Sequence, residues 1–124
     1  MAASRDIILE TITNYVDYVG AGATDKIVAL YAEGGTVEDP VGSDVRTTRE
    51  SVREFYAILE GLAQSAKLGI VKIADGQAAF AFELVVKAGD MTYTIAPIDV
   101  MTFNDDGRIA SMRAFWSDAD MVVS

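Results

Sequence analysis

The sequence predicts an α+β fold in which three helices cover one face of a largely antiparallel sheet. Three observations predict it. Apolar residues recur at helical spacing through the first half of the chain, the period changes to two from Lys67 onward, and short Gly/Asn/Asp turns rather than crossover helices separate the later segments.

Ser4 is placed to cap a first helix whose Ile8, Ile12, Tyr15, Val16 and Val19 form one stripe, ending near Gly20 and Gly22. The stretch Gly20-Ala21-Gly22-Ala23 has neither dinucleotide spacing nor the Lys-Ser/Thr pair of a phosphate loop, so it reads as a helix–helix turn. Thr24 opens a second helix with Ile27, Val28, Leu30 and Tyr31 on one face, and Gly34-Gly35 stop it. A short strand, Thr36 to Asp39, follows. Thr47 and Glu50 stand in capping-box spacing ahead of a third helix that carries Val52, Phe55, Tyr56 and Leu59 and terminates at Gly61. Beyond it, turns at Asp75-Gly76, Ala88-Gly89-Asp90 and Asn104-Asp105-Asp106-Gly107 divide four strand candidates into a meander of hairpins. Pro97, inside one of them, marks an edge or a bulge. With no linker, repeat or low-complexity tract, one domain over residues 1–124 is expected.

Composition narrows the chemistry. The 19 acidic and 10 basic residues leave a net charge of −9, a field that repels phosphate backbones and anionic lipid, so neither nucleic acid nor membrane is an expected partner. Without a membrane-length apolar run or a signal core, a cytoplasmic location is expected. The absence of Cys rules out disulfides and thiolate sites. The absence of His removes the Ser/His/Asp and Cys/His triads and His-based zinc sites, leaving carboxylates, Tyr or Lys for acid–base work.

A few residues stand out against this frame. Along Met91 to Phe103 the odd positions form an apolar row that Asp99 interrupts, on what should be the inner face. A carboxylate there either takes up a proton or finds a cation, for which Arg113 on the next strand is a candidate. Asp39, before Pro40 and a small turn, reads by itself as a solvated turn acid. Tyr15, Tyr31 and Tyr56 fall on the apolar faces of three predicted helices, where a buried phenol bonds either another phenol or a backbone carbonyl. Trp116, alternating with Ala114 and Met112, is either core or the lining of a pocket for a flat apolar ligand.

Several words occur in a telling order: Tyr15-Val16, Ile27-Val28-Ala29-Leu30, Thr36-Val37-Glu38-Asp39-Pro40-Val41-Gly42-Ser43, Arg53-Glu54-Phe55-Tyr56, Ala79-Phe80-Ala81-Phe82, Ala96-Pro97-Ile98-Asp99 and Ser111-Met112-Arg113-Ala114. Together they resemble the Δ5-3-ketosteroid isomerases, members of the cone-shaped fold group that also holds nuclear transport factor 2 and scytalone dehydratase. The resemblance implies three N-terminal helices on a curved sheet, a steroid substrate, no cofactor or metal, and a homodimer formed through the outer sheet face. It further implies Asp39 as general base, Tyr15 and a protonated Asp99 as oxyanion donors, Tyr56 and Tyr31 as a supporting tyrosine network, and Trp116, Met112 and Phe82 as pocket residues. A lyase or hydrolase on the same fold, or a non-catalytic binding module, is the competing expectation.

Overall fold

The computed structural model describes residues 2–124, in the order α1 (Arg5–Ala21), α2 (Thr24–Ala29), β1 (Tyr31–Glu38), α3 (Arg49–Ala57), β2 (Ala63–Ala74), β3 (Gln77–Ala88), β4 (Met91–Ile95), β5 (Ile98–Phe103), β6 (Ile109–Phe115), a 3₁₀ turn (Asp118–Asp120) and β7 (Met121–Val123). Three helices pack on an open, mostly antiparallel sheet, as predicted. The long strand β3 is its spine. One edge of β3 pairs with β2, while its other edge is shared end to end by β5 and β4. Beyond β5 lie β6 and then β1, the only parallel pair among the described strands, and beyond β4 lies β7.

The first helix follows its sequence signals closely. Ser4 Oγ accepts the Ile7 N–H, Gly22 ends the helix in a left-handed conformation, and the buried stripe is Ile8, Ile12, Tyr15, Val16 and Val19. The second helix is shorter than predicted. It ends at Ala29, and Tyr31 begins β1 instead of finishing the helix. The reason is tertiary: the Ile109 N–H takes the Leu30 carbonyl at 2.9 Å, and β6 draws the chain into the sheet before another helical turn can form. Gly34-Gly35 therefore do not stop a helix. They form an irregularity in β1, where a Cβ on Gly35 would lie 2.9 Å from the Ile109 carbonyl oxygen. The third helix is capped by Thr48, whose hydroxyl accepts the Ser51 N–H, and not by Thr47.

Two further departures concern strands. The predicted run Met91 to Phe103 is broken at Ala96-Pro97 into β4 and β5, both in register with β3, so Pro97 occupies a gap in the ladder and its carbonyl accepts the Phe82 N–H. The final 3₁₀ turn and β7 were not foreseen; three residues of β7 find a partner only because β4 offers a free edge. Between the helices and the sheet lies one apolar cluster that includes Ile8, Ile12, Val37, Phe80, Met101, Ile109 and Met112. No helix among the described residues is long and apolar enough to cross a membrane.

Candidate active site

The spacing on β3 and β5 brings the site together. Asp99 pairs in register with Phe80 on β3 and Ala114 on β6, so all three side chains share the inner face. The Tyr15 ring, reaching down from α1, meets Phe80 and Phe82 edge to face at 6.2 and 6.5 Å between centroids. Tyr15 thus stands over the stretch of sheet from which Asp99 rises. Asp39 follows β1 directly and lies against Trp116, which follows β6.

The three tyrosines come from α1, β1 and α3 and form a single chain of hydroxyls. Tyr56 sits in the middle, 2.9 Å from the Tyr15 hydroxyl and 2.5 Å from that of Tyr31. Each phenol has one proton, so if Tyr31 donates to Tyr56 and Tyr56 to Tyr15, the Tyr15 proton is left over for the cavity. Burial holds all three phenols well above their ordinary pKa, so they remain donors at neutral pH.

The two carboxyl groups have different surroundings. Asp99 is 1% exposed, and neither of its oxygens has a hydrogen-bond partner among the described residues. Desolvation drives its pKa well above the usual carboxylate range, and the charge of Asp39 pushes the same way. An unpaired buried carboxylate is costly, so the surroundings of Asp99 favour its protonated form. Arg113, the alternative partner considered from sequence, points to the opposite face and bonds Glu38 at 2.9 Å. Asp39 is raised less. Burial lifts its pKa, while the hydrogen bond from Trp116 Nε1 to Oδ1, 2.7 Å long, lowers it.

A cavity of about 170 Å³ lies between the helices and the sheet. Tyr15, Asp39, Tyr56, Phe82 and Trp116 line it, and Tyr31, Asp99 and Met112 do not. Met112 is fully buried core, while Asp99 and Tyr31 stand behind the lining. Sequence reasoning missed most of the apolar wall, namely Val19, Phe55, Leu59, Leu84, Ile95 and Pro97. Ile58, which follows α3 and is 66% exposed, forms part of the rim. Among the described residues no cluster of three or more acidic side chains is arranged to hold a metal ion. Chemically, the cavity brings one carboxyl group, Asp39, and the hydroxyls of Tyr15 and Tyr56 to an otherwise largely apolar space.

A helix-covered, mostly antiparallel sheet around such a cavity defines a class of protein, the SnoaL-like domain, whose family model matches residues 12–112. Solved structures agree on the fold. The epoxide hydrolase/cyclase-like enzyme SalBIII, described for pyran ring formation in the polyether salinomycin, superposes with a TM-score of 0.86 at 29% identity, covering 94% of this chain and 95% of that one. The Mycobacterium tuberculosis protein RV0760c superposes at 0.88 with 18% identity, covering 98% and 99%. A Nocardioides simplex protein named Steroid Delta-isomerase is 48% identical over 113 residues, which are 91% of this chain and 92% of that protein. The chain belongs to the steroid Δ-isomerase family within the SnoaL-like group, and it is an enzyme of the isomerase class.

Proposed function

We propose that the chain moves the C5–C6 double bond of 3-oxo-Δ5 steroids into conjugation with the C3 ketone, by proton transfer through a dienolate. The observation that carries the reading is the contrast between two carboxyl groups: Asp39 faces the cavity with one oxygen bonded to Trp116, while Asp99 is buried without a partner behind it. Asp39 removes the proton from C4, and the electron pair of that C–H bond forms the C3–C4 double bond as the carbonyl π electrons pass to oxygen. Tyr15 and protonated Asp99 donate hydrogen bonds to that oxygen as it becomes negative. When the oxyanion collapses back to the ketone, the C5–C6 π electrons accept the proton from Asp39 at C6, leaving the double bond between C4 and C5. No redox change occurs, and the proton lost at C4 balances the one gained at C6.

A carboxylate is a weak base for a carbon acid, so most of the barrier must be removed at the oxygen, where donors in an apolar setting act most strongly. The apolar wall supplies affinity by burying ring surface, and the two ends of the polar constellation supply orientation.

The test is to mix the purified protein with 5-androstene-3,17-dione and follow the absorbance of the conjugated enone. The expected result is rapid turnover by the parent and its loss in Asp39→Asn, with binding of a phenolic steroid retained. Turnover near the parent rate in Asp39→Asn would rule out this base.

A homodimer through the outer sheet face is part of the same proposal. Ile70, Ile98 and Phe115 are 65%, 50% and 43% exposed. They form a row, because Ile98 pairs with Ala81 and Phe115, and the bulge at Gly69-Ile70 lies opposite Ala81. An exposed apolar row running across several strands of the sheet supports a second copy as its cover.

A further inference from the structure

Asp39 is the first residue of the turn that leaves β1, and a turn is an unsteady mount for a group that must reach two carbon atoms. Several bonds hold it. The Val41 N–H donates to the Ala114 carbonyl at 2.8 Å, and the Ser43 hydroxyl and N–H both close on the Pro40 carbonyl. The remaining tie comes from a side chain. Glu38, the neighbour of the base, accepts the Gly42 N–H on Oε2 at 3.0 Å and Arg113 Nε on Oε1 at 2.9 Å. Arg113 belongs to β6 and is itself braced, with its guanidinium 5.2 Å from the centre of the Phe115 ring.

We propose that Glu38 is a positioning residue for the reaction: its carboxylate joins the far side of the turn to β6 and thereby sets the direction in which the Asp39 carboxyl points. The inference rests on the isomerase reading above. Successive residues at a strand end face opposite ways, so Asp39 is aimed into the cavity while Glu38 lies on the outer side, where Arg113 is found. The clamp therefore acts on the base without occupying substrate space. It also brackets Asp39 closely, since the turn is pinned at the residue before the base and again three residues after it. Trp116 completes the arrangement by holding Oδ1, which leaves Oδ2 to take and return the proton. The Gly42 N–H and then Arg113 both hold the Glu38 carboxyl below its usual range, so the clamp stays charged through neutral pH.

The magnitudes separate this role from a merely structural one. An exposed ion pair contributes little to folding stability, yet a reacting group displaced by about 1 Å can lose on the order of 100-fold in rate. Loss of the clamp should therefore reduce turnover while sparing stability and binding. Proton transfer gives a second readout, because a carboxyl that no longer covers both C4 and C6 holds the proton longer and exchanges it with solvent.

The experiment compares the parent chain with Glu38→Ala, Glu38→Gln and Arg113→Met. It measures kcat and KM for 5-androstene-3,17-dione, binding of estradiol as a phenolic probe, melting temperature, and deuterium at C6 of product formed in D₂O. For Glu38→Ala we expect kcat to fall about 10-fold with KM and estradiol binding within about 2-fold of the parent, and more deuterium at C6. Glu38→Gln keeps an oxygen for the Gly42 N–H and should recover part of the loss; Arg113→Met removes the β6 anchor and should lose activity in the same direction. Parent-like kcat and parent-like C6 deuterium in Glu38→Ala overturn the role, as does a kcat loss matched by equal losses of estradiol binding and melting temperature. Should Glu38→Ala not fold, parent-like turnover in both Glu38→Gln and Arg113→Met overturns it equally. A parent without isomerase activity overturns the activity assignment and this role together, whereas an active parent with indifferent variants overturns only the positioning role.

Discussion

At the scale of single residues, the two carboxyl groups make opposite demands on pH. The raised pKa of Asp99 means that the folded chain holds a proton which the unfolded chain releases above the ordinary carboxylate value. Its effect on stability is therefore least unfavourable at low pH and worsens as pH rises from about 4 toward the folded pKa. Asp99→Asn, neutral at every pH, should raise the melting temperature at pH 7 by a few degrees while depressing turnover. The gap from the parent should close as pH falls toward the unfolded value, and thermal melts at several pH values check this. For Asp39, the acid limb of the kcat/KM profile should lie above the ordinary carboxylate value, since burial is its largest perturbation. Trp116→Phe removes the bond that opposes burial, so that limb should move to higher pH. A shift to lower pH would contradict the role given to the indole N–H.

Among the elements, α1 carries most of the information that sequence made legible. Its cap, its stripe and its terminator all agree, and local consistency of that kind survives tertiary assembly. One of its contacts gives a sharp prediction. Gly107, in the β5–β6 turn, has φ +83°, and a Cβ there would fall 2.2 Å from Ile7 Cγ2. Its carbonyl also accepts the Thr11 hydroxyl at 3.0 Å. Gly107→Ala must strain the turn at its positive φ and displace the Ile7 side chain, at a cost of about 1–3 kcal/mol, which urea unfolding would measure. The short elements were less legible. Six residues of α2 have too little length for periodicity to find an end, and β6 decided where it stopped. Strands β4 and β5 read as one because alternation continues across Pro97, and only the missing N–H marks the break.

At the level of the whole molecule, the inner sheet face faces the helices and the outer face carries Ile70, Ile98 and Phe115. With a net charge of −9, an added acid in that row sets two copies against each other. Ile70→Glu lies on β2, away from the cavity lining, and should convert a dimer into a 13.3 kDa monomer. Sedimentation equilibrium reads the result directly, and a monomeric parent would remove the dimer from the proposal.

The sequence by itself determined the class of fold, because periodicity reports which face of each element is apolar, and it singled out Asp99, because an acid in an apolar row violates that pattern. The family words marked Asp39 and Tyr15, which as isolated residues were a turn acid and a core phenol. What only the tertiary structure decided was company. Register set Asp99 beside Phe80 and Ala114 and turned Arg113 to the other face. Three separate elements brought Tyr15, Tyr56 and Tyr31 into one hydroxyl chain, and two strand ends placed Trp116 on Asp39 and Glu38 on Arg113. Such meetings depend on distances between residues far apart in the chain, and a local pattern contains no term for them.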